Sequence, residues 1–125
     1  MDKIEEVLSS GGAVVLPTET VYGLFCKALD EQAVSHVYDL KGRPREKALN
    51  LNVSSLEEIY QFSKHQPQYL KKLYQAFLPG PLTIILQANE QVPIWVNSGM
   101  KTIGFRVPSH PKTLDLIRKF GPLIG

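Results

Sequence analysis

The chain has 125 residues, of which 43% are hydrophobic and 21% charged, with 14 lysines and arginines against 12 acidic residues. These proportions describe one globular domain able to bury its own core, and no apolar run reaches the length of a membrane span. The single cysteine, Cys26, excludes a disulfide scaffold and suits a reducing cytoplasm, and a formal net charge of +2 is a weak field for a dedicated nucleic-acid-binding module.

Residues 2–10 place Ile4, Val7 and Leu8 on one helical face, and Gly11 and Gly12 end that helix. The acidic, amphipathic start is no signal peptide. Residues 13–16 form a short apolar run that predicts a buried strand, closed by Pro17, and residues 21–26 predict a second extended stretch. Asp30 is placed to cap a helix over 31–40 with Val34, Val37 and Tyr38 inward. Residues 41–47, KGRPREK, have no apolar period and read as a basic loop. Residues 49–53 alternate as a half-exposed strand does, and Ser54 with Glu57 predicts a capping box for the next helix.

Pro67 suits the first turn of a helix running to about Phe77, and the Pro-Gly-Pro at 79–81 is a stiff turn. Strands follow over 82–86 and 103–107, then a helix opened by Ser109 and Pro111 and ended by Gly121. Leu123 and Ile124 read as the start of a further strand, which predicts a domain continuing past Gly125. Strands alternating with helices predict an α/β architecture around a mainly buried sheet.

Charge is unevenly spread. Residues 1–40 carry seven acidic and two basic residues, whereas residues 41–125 carry twelve basic and five acidic ones. Converging basic clusters would attract a polyanion such as ATP or RNA, although solvated surface lysines are the default. No phosphate-loop, dinucleotide-binding or nucleophile-elbow motif is present, and His36, His65 and His110 lack metal-ligand spacing. Cys26, within an apolar run, reads as a buried inert thiol. Glu19, an acid between two threonines after a strand, either bonds backbone amides or serves a site.

Four segments look like a site built at strand ends. Thr18, Glu19, Thr20 and Tyr22 put two hydroxyls, a carboxylate and a phenol in one loop, which either holds a small polar ligand or makes a local hydroxyl-bonded turn. Lys41 and Arg43, if extended, share a face around Gly42 and suit phosphate oxygens, or form a surface basic loop. Residues 79–83, PGPLT, are a stiff entry to a strand. In residues 102–107, Thr102, Gly104 and Arg106 alternate with Ile103, Phe105 and Val107. One face is therefore apolar, and the other offers a hydroxyl, a gap and a guanidinium that either clamps an anion or faces solvent.

PTETVYGL at 17–24, KGRP at 41–44, PGPLT at 79–83 and TIGFRVP at 102–108 stand in one order across most of the chain. Together they resemble the YrdC-like family of threonylcarbamoyl-AMP synthases. The resemblance implies a twisted mixed sheet with flanking helices and a concave positive groove. It implies formation of threonylcarbamoyl-AMP and pyrophosphate from L-threonine, bicarbonate and ATP, with Mg²⁺ held mainly by the phosphates. A downstream transferase would pass the group to adenosine 37 of tRNA.

By motif, Lys41 and Arg43 would act in catalysis and contact the triphosphate, and Thr102 would lie near the nucleotide. Thr18, Thr20, Tyr22, Asn52 and Arg106 would bind threonine, Arg106 through the carboxylate. Asn52 stands where many members carry a histidine, Leu78 where a tryptophan is usual, and Phe25 where a glycine is usual. The family's SxN segment would follow Gly125. Two other readings fit the pattern: a double-stranded RNA or tRNA binding module without catalysis, and a carbamoyl-transfer domain of a larger enzyme.

Overall fold

Helix α1 (Lys3–Ser9) begins where Asp2 accepts a hydrogen bond from the Glu5 N–H at 2.9 Å. Helix α2 (Glu31–Lys41) begins where Asp30 accepts from Ala33 N–H at 3.1 Å, and it ends at Gly42, whose φ of 60° is the left-handed turn that glycine adopts without strain. Side-chain oxygens here satisfy donors that a helix start leaves unpaired. The computed structural model describes residues 2–19 and 21–125.

The first four strands are β1 (Val14–Pro17), β2 (Tyr22–Lys27), β3 (Leu51–Asn52) and β4 (Ser63–Lys64). Three follow: β5 (Gly80–Ala88), β6 (Thr102–Val107) and β7 (Leu123–Ile124). They form one mixed sheet in the order β1-β2-β7-β3-β6-β5-β4. Strand β7 is antiparallel to both β2 and β3, and β3 is parallel to β6. The remaining helices are α3 (Leu56–Phe62), α4 (Leu70–Phe77), α5 (Ile94–Asn97) and α6 (Pro111–Phe120). No helix among the described residues is long and apolar enough to cross a membrane.

Two cores divide the sheet's faces. Leu51, Ile84, Ile103, Phe105 and Ile124 pack with α2, α3 and α5 through Val34, Val37, Ile59, Phe62 and Val96. On the opposite face Leu8 of α1 and Leu116 and Ile117 of α6 cover Val14, Leu16, Phe25 and Leu123. That second layer reaches only the β1-β2-β7 end. The side of β6 and β5 that bears Thr102, Gly104, Ile85 and Gln87 lies outside both cores, and Ile85 is 68% exposed. Period-two alternation makes this half-covered face available to a ligand.

Several sequence expectations shift. The cap of α3 is Ser55 with Glu58, one residue later than the Ser54–Glu57 pair: Glu58 N–H donates to Ser55 Oγ at 3.3 Å, and Glu58 Oε1 accepts from the Ser54 N–H at 2.9 Å. Consecutive serines and glutamates make both registers available, and burial of Ile59 and Phe62 selects the later one. Lys41 is the last residue of α2 and not part of an extended segment, so Lys41 and Arg43 do not share a face by strand alternation. Helix α4 starts at Leu70, after a turn in which Leu70 N–H donates to Pro67 O at 3.1 Å. The strand expected over 82–86 runs from Gly80 to Ala88, with a register shift between Gly80 and Ile84.

Candidate functional site

The open face is assembled from neighbouring strands. Asn52 pairs in register with both Leu123 and Arg106, Ile85 with Gly104, and Gln87 with both Thr102 and Lys64. Paired residues project to the same side of a sheet. Thr102, Gly104 and Arg106 therefore form a polar column, crossed at one end by the row Lys64–Gln87–Thr102 and flanked at the other by Asn52.

Gly104, at the middle of the column, leaves room for two neighbouring side chains. A Cβ there would lie 2.5 Å from Asn50 Oδ1 and 3.1 Å from Thr83 Cγ2. The Asn50 amide donates to Thr83 Oγ1 at 3.4 Å, so these side chains bridge over the gap. A depression of about 250 Å³ lies alongside, lined by Ala48, Asn50, Ile85, Met100, Thr102 and Gly104. A second, of about 680 Å³, is lined by Lys64, Gln87, Ala88, Lys101 and Thr102. Thr102 borders both.

At the far end of the column the Arg106 guanidinium pairs with Glu19, Nη2 to Oε1 at 2.5 Å, across 87 residues of sequence. The side chains are 25% and 13% exposed. Arg106 thus neither faces solvent nor stands free, and Glu19 bonds this guanidinium and no backbone amide among the described residues. Glu19 Oε2 and Arg106 Nε are shut from water without a partner among the described residues. The pair is a single contact where a guanidinium and a carboxylate have atoms for two.

Asn52 is 3% exposed and donates from Nδ2 to Asn50 O and Leu123 O, both at 3.2 Å. Its amide holds β7 against β3 beside Arg106. Thr18 follows the local-turn alternative: its hydroxyl donates to Val21 O at 2.6 Å and its N–H to the same carbonyl at 2.8 Å. Tyr22 is 73% exposed at the mouth of that hairpin. Thr20 lies outside the described residues.

The basic segment folds back on itself. Arg43 donates from Nε to Lys47 O at 2.5 Å and from Nη2 to Ala48 O at 3.2 Å. Arg45 lies over the Tyr38 ring at 4.7 Å and donates to Ser35 Oγ at 2.8 Å. Arg43 therefore shapes the strand-entry segment, whose Ala48 borders the depression. Partial desolvation, and secondarily the Arg43 charge, hold the Lys41 ammonium below the ordinary lysine pKa. Burial, reinforced by Asp30, pushes the Cys26 thiol up to about 12, so it is inert near neutrality. Among the described residues no three His, Cys, Asp or Glu side chains converge as a metal site.

Sequence reasoning missed Asn50, Ile85, Gln87 and Lys64, whereas Thr83 stood in the PGPLT segment already singled out. The alternation of residues 83–87 carried a signal for Ile85 and Gln87. Asn50 and Lys64 depend on cross-strand register.

The Sua5/YciO/YrdC family model, described as telomere recombination, matches residues 6–125. A threonylcarbamoyl-AMP synthase of Pyrococcus abyssi is 40% identical over 110 residues, covering 88% of this chain and 32% of that protein. One from Mus musculus is 34% identical over 114 residues, covering 91% of this chain and 40% of its own length. The solved structure of P. abyssi Sua5 complexed with L-threonine aligns with a TM-score of 0.90 at 37% identity, over 97% of this chain and 36% of that one. The chain thus spans less than half the length of these relatives. The mixed sheet with flanking helices implied by the motifs is the fold found.

Proposed function

The chain belongs to the Sua5/YciO/YrdC family, and on that premise we propose that its open face serves threonylcarbamoyl-AMP formation. L-threonine, bicarbonate and ATP, brought as its magnesium complex, would give threonylcarbamoyl-AMP, pyrophosphate and water. A separate transferase would use the product on adenosine 37 of tRNA. The observation that carries this reading is the polar column Thr102–Gly104–Arg106 on the uncovered half of the sheet.

The chemistry needs no enzyme nucleophile. Threonine's amine captures carbon dioxide or bicarbonate as a carbamate, a carbamate oxygen attacks the α-phosphorus, and pyrophosphate departs. Such a reaction is accelerated chiefly by holding reactants in line and neutralising growing charge. Arg106 takes the threonine carboxylate, with Thr18, Thr20 and Tyr22 on the adjoining hairpin and Asn52 fixing the strand beside it. Gly104 gives room to the Asn50 and Thr83 side chains beside the column, and Thr102 lies on the nucleotide side. Lys41 supplies charge to the phosphates, and Arg43 contributes its remaining donors while bracing residues 47 and 48.

Incubation with ATP, Mg²⁺, bicarbonate and labelled threonine tests the proposal. Bicarbonate-dependent threonylcarbamoyl-AMP is the expected product, and its absence at saturating substrate contradicts the activity for this chain.

A second reading rests on Lys64 and Lys101, which make no ion pair among the described residues and border the larger depression. Such an edge suits an RNA backbone. Binding to RNA that falls steeply with salt and ignores threonine would favour it.

A further inference from the structure

We propose that Glu19 and Arg106 hold each other as stand-ins for the two charges of a zwitterionic amino acid, so that Glu19 is a specificity-determining partner of Arg106. The inference rests on the amino-acid reading of the open face.

The argument starts from what the pair leaves undone. Glu19 Oε1 accepts one hydrogen bond from Arg106 Nη2 at 2.5 Å, while Glu19 Oε2 and Arg106 Nε are closed to water and find no partner among the described residues. A buried polar atom without a partner is costly, and here both ions carry one. The closed pair therefore retains bonding capacity of both signs at one point.

A simple carboxylate cannot use that capacity well. It would take Arg106 and leave Glu19 as a second, unmatched anion beside it. An amino acid brings both signs: its carboxylate replaces Glu19 on Arg106, and its ammonium gives Glu19 a new cation. One ion pair becomes two. Glu19 sits on the hairpin between β1 and β2 and Arg106 on β6, separate elements that can part by a small hairpin movement without breaking a ladder between them. Gly104 and Asn52, the neighbours of Arg106 along and across the sheet, are uncharged.

Calorimetric titration of the 125-residue chain separates the possibilities. The ligands are L-threonine and 2,3-dihydroxybutyrate of the same configuration, in which a hydroxyl replaces the amine. The wild type is expected to prefer threonine. In Glu19→Gln that preference should shrink by about tenfold or more, because the neutral amide neither opposes the hydroxy acid nor pairs with the ammonium. Glu19→Asp, which keeps the charge, should retain most of it.

Thermal unfolding of each variant verifies the fold. A wild-type preference in Glu19→Gln, or its equal loss in Glu19→Asp and Glu19→Gln, overturns the inference while leaving threonine binding intact. Failure of the wild type to bind threonine at all overturns the amino-acid reading and the inference with it.

Discussion

Asn52 and Arg106 are register partners on parallel strands, and the Asn52 amide simultaneously grips the carbonyl of Leu123 on the strand at its other side. One side chain therefore ties β7 to β3 at the end of the cleft where Arg106 of β6 emerges. Asn52→Ala takes a donor from the buried Leu123 carbonyl and from the part-buried Asn50 carbonyl, which keeps the Gly125 N–H at 3.4 Å, and is expected to cost about 1–2 kcal/mol. Asn52→Asp should cost more, since a carboxylate would face those same oxygens. Urea unfolding of both variants measures the difference.

Removing the guanidinium strands Glu19. For a fully buried pair the loss is about 3–5 kcal/mol, and with side chains 25% and 13% exposed Arg106→Met should fall below that, at about 1–3 kcal/mol. Adding Glu19→Gln should recover part of the loss. A double-mutant cycle in urea measures the coupling, and additive effects would contradict an energetically meaningful pair.

Gly104→Ala tests whether the seating of Asn50 and Thr83 shapes the site. The new methyl would press on Asn50 Oδ1 and Thr83 Cγ2, both side-chain atoms that can yield. Stability should change by about 1 kcal/mol or less, while threonine affinity drops about tenfold or more because Asn50 and Thr83 are pushed toward the ligand's depression. Calorimetry beside thermal unfolding distinguishes the two effects.

Lys41→Ala should lower turnover by about tenfold or more with the fold intact, as expected for a charge positioned on transferring phosphates. Arg43→Ala should lower turnover too and also loosen residues 47 and 48, whose carbonyls it holds. Amide exchange at those residues, compared between the variants, separates a chemical from a bracing contribution.

The buried thiol predicts an alkaline weakness. Cys26 loses its proton near 9.0 when unfolded and at about 12 when folded. Between those values the native state binds more protons, so stability falls as pH rises, by up to about 1.4 kcal/mol per pH unit. Lys41 acts in the opposite sense: its folded pKa is held below 10.5, so its penalty is present at neutral pH and fades as pH rises through the ordinary lysine range. Cys26→Ala should therefore flatten the decline in urea midpoint between about pH 8 and about pH 10.

Local patterns made part of this architecture legible. The alternation in residues 102–107 correctly put Ile103, Phe105 and Val107 in the core, because β6 is covered on one face only. Asp30 and Gly121 marked helix ends through capping chemistry that depends on adjacent residues alone. Long-range assembly was not legible. Glu19 meets Arg106 because the hairpin end lies over a sheet in which β7 has entered between β2 and β3. Lys64 joins Thr102 only through the registers of β4 and β5. Helix α5, four residues long, is too short for a period to appear in sequence.

The most direct measurement is a titration of the isotopically labelled chain with L-threonine, followed by amide chemical shifts. The account predicts saturable changes confined to the open face and its adjoining hairpin: Thr18, Glu19, Tyr22, Asn50, Asn52, Gly104 and Arg106, with α2 and α4 unmoved. No saturable change, or changes centred away from β3 and β6, would contradict the placement of an amino-acid site on this face.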